Sequence, residues 1–228
     1  MTRVVVFDLD DTLYLERDFV RSGFAAVGRW LSAHYEISEF EAHAWDLFLA
    51  GRRGDVFDRA LPQLGLDSQP ALIRRLVRVY REHLPTIGLE PAAADLLAAL
   101  SGRCRLALLT DGYHDTQQRK IAALGLAERC RPIVCTDQWG RAHWKPSPRG
   151  FLHLQQALGA SPERCIYIGD NPAKDFRAPK ALGWATLRVR HPLGEHAHAA
   201  PAAPPDEADA TVSSLAEVTF ADLLGLDG

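Results

Sequence analysis

A chain of 228 residues, 47% hydrophobic and 24% charged, is long enough for one large domain or for a core domain with a smaller insertion. Its formal net charge of −3 gives no electrostatic reason to expect nucleic acid or an anionic membrane as a partner. No apolar stretch reaches bilayer-spanning length, the N-terminal residues read as a strand and not as a signal peptide, and Cys104, Cys130, Cys135 and Cys165 show no CxxC spacing; a cytoplasmic protein with reduced thiols and no zinc site is expected.

The first element is the run Val4-Val5-Val6-Phe7, which passes into Asp8-Leu9-Asp10-Asp11-Thr12. A short β-branched run without alternation reads as a strand buried on both faces, which puts Asp8 at its C-terminal edge, where open α/β sheets bind ligands. Residues two apart on extended chain point the same way, so Asp8 and Asp10 converge while Asp11 points elsewhere. A plain Asp-rich turn would look the same in isolation.

A helical pattern follows. Val20, Phe24, Val27 and Leu31 form one amphipathic stripe; Ser38 and Glu41 have capping-box spacing, with Ile37 at the staple position, before a second helix through Phe48 that Gly51 ends. After the loop Gly51-Arg52-Arg53-Gly54-Asp55 comes a short helix over 56–61, and Ser68 stands as the cap of a third long one with Leu72, Ile73, Leu76, Val77 and Tyr80 on its apolar face. The division expected is therefore a helical cap over residues 15–87 inserted into a core of residues 1–14 and 88–228.

From Pro91 strand and helix alternate: a helix carrying Leu96, Leu97 and Leu100; a strand Arg105–Leu109 that ends in Thr110-Asp111-Gly112; a helix over 115–124 stopped by Gly125; a strand Pro132–Cys135; Lys145-Pro146-Ser147-Pro148 leading into a helix stopped by Gly159; and Cys165–Ile168 emptying into Gly169-Asp170-Asn171. A short helix from Pro179 closes at Gly183, and Ala185–Val189 reads as the last main strand. The fold class expected is α/β, a Rossmann-like parallel sheet with right-handed crossovers and helices on both faces. Residues 191–208, rich in Pro, Ala and His, read as a mobile loop in which His191, His196 and His198 are solvated and bind metal at most adventitiously. Ser214 and Glu217 repeat the capping-box spacing for a final helix through Leu223.

Parallel strands ending at Asp8, Thr110 and Asp170 bring their polar ends to one edge, where Lys145 and Asp175 also fall. Several carboxylates in a small volume need a dication, and an all-oxygen set suits magnesium. Carboxylates, a dication, a lysine and a hydroxyl together describe a phosphoryl-transfer site.

On these residues the chain resembles the haloacid dehalogenase (HAD) superfamily, in its phosphatase branch with a helical cap after the first strand. Asp8-Leu9-Asp10-Asp11-Thr12 matches that family's first motif, Thr110 its second, Lys145 its third, and Gly169-Asp170-Asn171-Pro172-Ala173-Lys174-Asp175 its GDxxxxD fourth. Asp111 departs from the Asn that many capped relatives carry; the phosphate contact implied there is from backbone, so activity should survive. The resemblance implies that Asp8 is the nucleophile and Asp10 the general acid and base, its pKa raised by burial and neighbouring carboxylates. It further implies that Asp8, Asp170 and the Asp10 carbonyl hold Mg2+, with Asp175 orienting Lys145 or a metal-bound water, and that Thr110, Asp111, Gly112 and Lys145 bind the phosphoryl group. The implied partner is a small phosphorylated metabolite, of the sugar phosphate or nucleotide class; sialic-acid-type sugar-phosphate phosphatases and small nucleotidases are the nearest types. Arg52 and Arg53 are candidates to grip the substrate, or a solvated basic loop; His114 is a candidate leaving-group contact or an exposed helix-start residue; Tyr14 and Leu15 line the pocket or only pack. A phosphomutase would keep all four motifs, a dehalogenase would need neither Asp10 nor the GDxxxxD acids, and a binding protein would not need the motif acids and lysine intact. Oligomeric state is not legible in the sequence.

Overall fold

The computed structural model describes residues 3–219 and Leu223. The chain forms two compact units, one built from residues up to Glu16 and from Gly88 onward, the other from Arg17–Ile87. The first unit holds a parallel sheet of six strands: β1 (Val4–Phe7), β2 (Arg105–Thr110), β3 (Ile133–Cys135), β4 (Cys165–Gly169), β5 (Ala185–Val189) and β6 (Ala210–Val212). They lie in the order β3-β2-β1-β4-β5-β6, so the Rossmann-like expectation holds. β1 sits between β2 and β4, with Phe7 facing Leu108 on one side and Ile168 on the other. The order reverses beside β1, which makes its C-terminal end a topological switch point.

The sheet is buried on both faces, as its unalternating strands require. Val4, Val6, Ala107, Leu109 and Tyr167 pack on one face with Phe151, Leu154 and Trp184. On the other, Val5, Phe7, Leu108, Ile166 and Ile168 are also completely buried.

The second unit consists of four helices, α1 (Glu16–Tyr35), α2 (Phe40–Leu49), α3 (Val56–Gln63) and α4 (Pro70–Glu82). Phe24, Val27, Leu31, Phe40, Ala44, Phe48, Phe57, Leu61 and Leu76 form its core, and the Phe24 ring meets those of Phe48 and Phe57 edge-on. Two expected caps are not made. Glu39, not Ser38, stands at the N-cap of α2 without a side-chain hydrogen bond, and Ser38 N–H instead donates to Glu39 Oε2. α4 begins at Pro70 behind Gln69, while Ser68 Oγ donates to the Asp58 carbonyl, tying the start of α4 to α3. Pro70 at the first helical position removes an amide that a cap would have served.

Back in the sheet unit, α5 (Pro91–Leu100), α6 (His114–Ala123), α7 (Arg149–Leu158) and α8 (Arg177–Ala181) connect the strands. α8 starts two residues before Pro179, which lies inside it. Residues 191–208 are anchored, contrary to the mobile loop expected. Arg188 Nη2 donates to the carbonyls of His196 and Ala199 at 2.8 and 2.9 Å, and buried Asp206 takes two hydrogen bonds from Arg177. This loop leads into β6, whose parallel ladder on β5 was unexpected. The expected C-terminal helix opens with a single turn, Leu215–Glu217, capped by the Ser214 side chain, and the Leu223 N–H donates to the Thr219 carbonyl at 3.2 Å; residues 220–222, over which that helix was expected to run, lie outside the described residues. Among the described residues no helix is long and apolar enough to cross a membrane.

Candidate active site

The site forms where β1, β2 and β4 end. The Asp8 N–H continues the ladder by donating to the Ile168 carbonyl at 2.8 Å, so its side chain emerges directly from the strand. Asp11 then turns the chain in a left-handed conformation, φ 53°, which aspartate tolerates better than most residues. As expected, its carboxylate leaves the Asp8 cluster and accepts from the N–H groups of Glu16 and Glu195 at 2.9 and 2.8 Å.

Lys145 is the centre of the cluster. Its buried ammonium donates to Asp8 Oδ1 at 2.8 Å and to Tyr167 OH at 2.7 Å, and pairs with Asp175 Oδ1 at 2.8 Å. Burial opposes that charge, but Asp175 and Asp8 together hold the ammonium well above the usual lysine range. Asp175 is fixed further by the Asn171 N–H at 2.9 Å. Burial pushes its carboxyl up, yet the charges of Lys145 and Lys174 and these hydrogen bonds outweigh it, so Asp175 titrates below the usual range. A Cβ on Gly169 would come within 2.7 Å of Asp175 Oδ2; the first residue of GDxxxxD is glycine because the carboxylate folds back over it.

Asp8, Asp170 and Asp175 each place a carboxylate oxygen within 4.8 Å of the others. Asp8 Oδ2 is buried and has no hydrogen-bond partner, although such a group ordinarily has one. Burial, opposed by Lys145 and reinforced by Asp175, raises the Asp8 carboxyl to about 6. Burial and the charges of Asp175 and Asp8 raise Asp170 well above the usual carboxylate range. An orphaned buried oxygen and two carboxyls pushed up by their neighbours fit a hard dication bound through oxygen. Both Asp175 oxygens are already engaged, which leaves Asp8 Oδ2 and Asp170 as the carboxylates open to such an ion.

Asp10 belongs to a separate network. Its Oδ1 takes hydrogen bonds from Lys120 Nζ at 2.7 Å and from Tyr14 OH, and its Oδ2 one from Gln117 Nε2 at 3.0 Å. The raised pKa expected from the sequence is corrected here. Burial does push the carboxyl up, but Lys120 and the three hydrogen bonds hold it below the usual range, so Asp8 and Asp10 are each paired with a lysine of their own. Gln117 also donates to Thr110 Oγ1 at 2.7 Å, which joins the end of β2 to Asp10. Gly112 makes that join possible: its φ is +116°, and a Cβ there would press on the Gln117 side chain at 3.2 Å.

Asp111 Oδ1 accepts from Thr136 Oγ1 at 2.6 Å and from the Lys145 N–H at 3.1 Å, so this side chain anchors the loop that presents Lys145. Sequence reasoning overlooked Gln117, Lys120, Thr136, Tyr167 and Lys174. A signal existed for two of them: Gln117 and Lys120 occupy the stripe that Ile121 and Leu124 continue, where a buried helix face should be apolar. Tyr167, alone polar in a buried strand, needed a partner for its hydroxyl. Tyr14 is completely buried and serves Asp10 through that hydroxyl, Leu15 is buried, and His114 is exposed, its N–H donating to Asp137 Oδ2. His196 hydrogen-bonds Asn171 and is half-buried, not solvated. In the helical unit Arg53 Nη1 donates to the carbonyls of Phe48 and Arg52 at 2.8 and 2.7 Å, with its guanidinium over the Phe48 ring; Arg52 is exposed.

The family model for haloacid dehalogenase-like hydrolases matches residues 2–183. Among curated relatives, a glyceraldehyde 3-phosphate phosphatase of Methanopyrus kandleri is 28% identical over 200 residues, covering 83% of this chain and 84% of the relative. A phosphoserine phosphatase of Thermus thermophilus is 32% identical over 173 residues, 75% of this chain and 66% of the relative. Among solved structures, the 2-haloacid dehalogenase of Pseudomonas syringae pv. Tomato shares the fold with a TM-score of 0.63 at 23% identity, covering 99% of both chains.

Proposed function

Because the chain belongs to the haloacid dehalogenase-like hydrolases, we propose that it is a magnesium-dependent phosphatase that hydrolyses a small phosphomonoester through an aspartyl-phosphate on Asp8. The observation that carries this reading is the acidic cluster around Lys145: Asp8 keeps one buried oxygen without a donor while Asp170 and Asp175 crowd it. A dehalogenase on the same fold attacks carbon and has no use for a dication held between carboxylates. The phosphatases among the relatives agree with this reading.

In this proposal Asp8 attacks phosphorus in line, and Lys145 and Thr110 bind phosphoryl oxygens with the backbone of Asp111 and Gly112. Asp10, a carboxylate in the protein without substrate, takes up a proton as the anionic substrate binds, gives it to the leaving oxygen and later takes one from water. Asp175 orients Lys145. Asp8, Asp170 and the Asp10 carbonyl would hold Mg2+, which supplies charge neutralisation for a dianionic phosphoryl group among carboxylates. The substrate is a small phosphorylated metabolite, sugar phosphate or nucleotide, taken up by a chain that works in the cytoplasm. A phosphomutase would use the same residues and differ in keeping water from the aspartyl-phosphate.

The dication has a direct test. Phosphate release from p-nitrophenyl phosphate should vanish in EDTA and return with magnesium; unchanged hydrolysis in EDTA would sink the metal assignment. The stability of the metal-free protein should follow the raised carboxyl of Asp8. A carboxyl raised in the folded state contributes stability that is present below its ordinary pKa of 3.8 and lost as pH rises through about 6. At pH 7.5 the ionised cluster therefore weakens the metal-free fold, and a dication offsets it. Magnesium should raise Tm more at pH 7.5 than at pH 5, each kcal/mol being worth about 2–4 °C in a chain of this size. Equal shifts at both values would place the ion elsewhere.

We further assign substrate discrimination to the loop of Arg52 and Arg53, two guanidiniums suited to a carboxylate or second phosphate. Their surroundings differ: Arg53 holds the end of α2 and Arg52 is exposed. Arg52→Ala should raise KM for the natural substrate and spare p-nitrophenyl phosphate, whereas Arg53→Ala should chiefly lower stability, by about 1 kcal/mol. Equal effects of Arg52→Ala on both substrates, or none, would remove the loop from specificity.

A further inference from the structure

Asp111 puts a negative charge beside the turn where the proposed phosphatase receives a dianion. Its hydrogen bonds do not require that charge. Thr136 and the Lys145 N–H both donate to Oδ1, and an asparagine carbonyl would accept both. The second oxygen, Oδ2, faces Lys174 Nζ at 3.8 Å, with the Asp111 side chain 6% and that of Lys174 29% exposed. An asparagine there would turn an NH2 donor toward an ammonium, which neither group favours. Lys174 is the residue before Asp175 in the fourth motif, and its charge acts on Asp8, Asp170 and Asp175 as well as on Asp111.

Resting on the phosphatase reading above, we propose that Lys174 and Asp111 form a charge-compensated pair across the second and fourth motifs, in which Lys174 is a positioning residue that cancels the Asp111 carboxylate so that phosphate can bind beside it. The carboxylate in turn is free to hold the Lys145 loop. The two charges act on phosphate in opposite directions: Lys174 without Asp111 is a surplus cation that holds it more tightly, and Asp111 without Lys174 repels it.

A four-variant cycle tests the pair, with inorganic phosphate as probe. Its affinity is read from competitive inhibition of p-nitrophenyl phosphate hydrolysis and from protection against thermal unfolding, both in magnesium. Lys174→Gln should weaken phosphate binding and raise KM by about tenfold with kcat little changed, and Lys174→Arg should restore both. Asp111→Asn alone should tighten phosphate severalfold, and adding it to Lys174→Gln should return affinity to within about twofold of the unmodified protein. Single substitutions that shift affinity in the same direction, a double variant as weak as Lys174→Gln, or a Lys174→Gln variant that binds phosphate normally would overturn the pair. If Lys174→Gln fails to fold, Asp111→Asn still decides, because weaker phosphate binding in that variant contradicts compensation. An unmodified protein that binds no phosphate would instead overturn the reading of the site, and the pair with it, whereas normal phosphate binding by the unmodified protein without opposite effects of the two substitutions overturns the pair alone.

Discussion

Asp8→Asn should lower kcat by about four orders of magnitude or more and leave the fold intact. The two halves of that expectation have different causes. Catalysis fails because an amide is a poor nucleophile toward phosphorus and because one of the carboxylates open to the dication is gone. The fold survives because Lys145 keeps Asp175 at 2.8 Å and Tyr167 at 2.7 Å, so no buried ammonium is left unpaired. Removing the Asp8 charge also relieves the repulsion that raises Asp170. In EDTA the variant should therefore melt no lower than the unmodified protein. Labelled phosphate or beryllium fluoride should attach covalently to the unmodified protein and not to the variant; a label that appeared on another residue of the variant would show that Asp8 is not the nucleophile.

The fold was legible in the sequence where burial is two-sided and the chain is punctuated. Short apolar runs bounded by Gly and Asp, as at Val4–Phe7 and Cys165–Gly169, have few alternatives to a buried parallel strand, and the polar residues after them fell on one edge as a consequence of that topology. β6 was not legible. It is three residues long, its residues are half-buried or exposed, and only the ladder offered by β5 makes Ala210–Val212 a strand, which is tertiary context overriding weak local preference. The loop before it looked solvated because its composition is polar and proline-rich; its order comes from Arg188 and Arg177, whose partners are backbone carbonyls and a distant aspartate that no local pattern reveals.

The candidate site shows the same division. Asp8, Thr110, Lys145, Asp170 and Asp175 could be placed together because each ends a strand or opens a helix, and position along a parallel sheet converts directly into proximity. The Asp10 environment could not be placed that way. Lys120 and Gln117 lie within a helix, 110 and 107 residues from Asp10 in sequence, and their approach depends on how α6 packs. The sign of the Asp10 shift turned on that one lysine. Reasoning from the neighbouring carboxylates alone gave the opposite direction, since burial without a cation raises an acid.

That correction sharpens the expected behaviour of Asp10→Asn. In the protein without substrate Asp10 is held as a carboxylate by Lys120, Tyr14 and Gln117, which is the form that deprotonates water in the second half-reaction. The first half-reaction needs the protonated form only when the leaving oxygen is a poor one. A sugar alkoxide requires a proton as its bond to phosphorus breaks, whereas p-nitrophenolate departs without it. The variant should lose much more of its rate of phosphoryl transfer to Asp8 with sugar phosphates than with p-nitrophenyl phosphate. Breakdown of the aspartyl-phosphate should be slow with either. Rapid mixing should then show a burst of p-nitrophenol near one equivalent per site, followed by slow turnover. Loss of the Lys120 pair must be kept apart from loss of the acid and base, because breaking a buried ion pair costs about 3–5 kcal/mol in stability. Lys120→Met serves as the control: it breaks the same pair and leaves the Asp10 carboxyl in place, so it should lower Tm without producing a burst. No burst from Asp10→Asn, with the same fractional loss on both substrates, would leave Asp10 a structural or metal-binding role only.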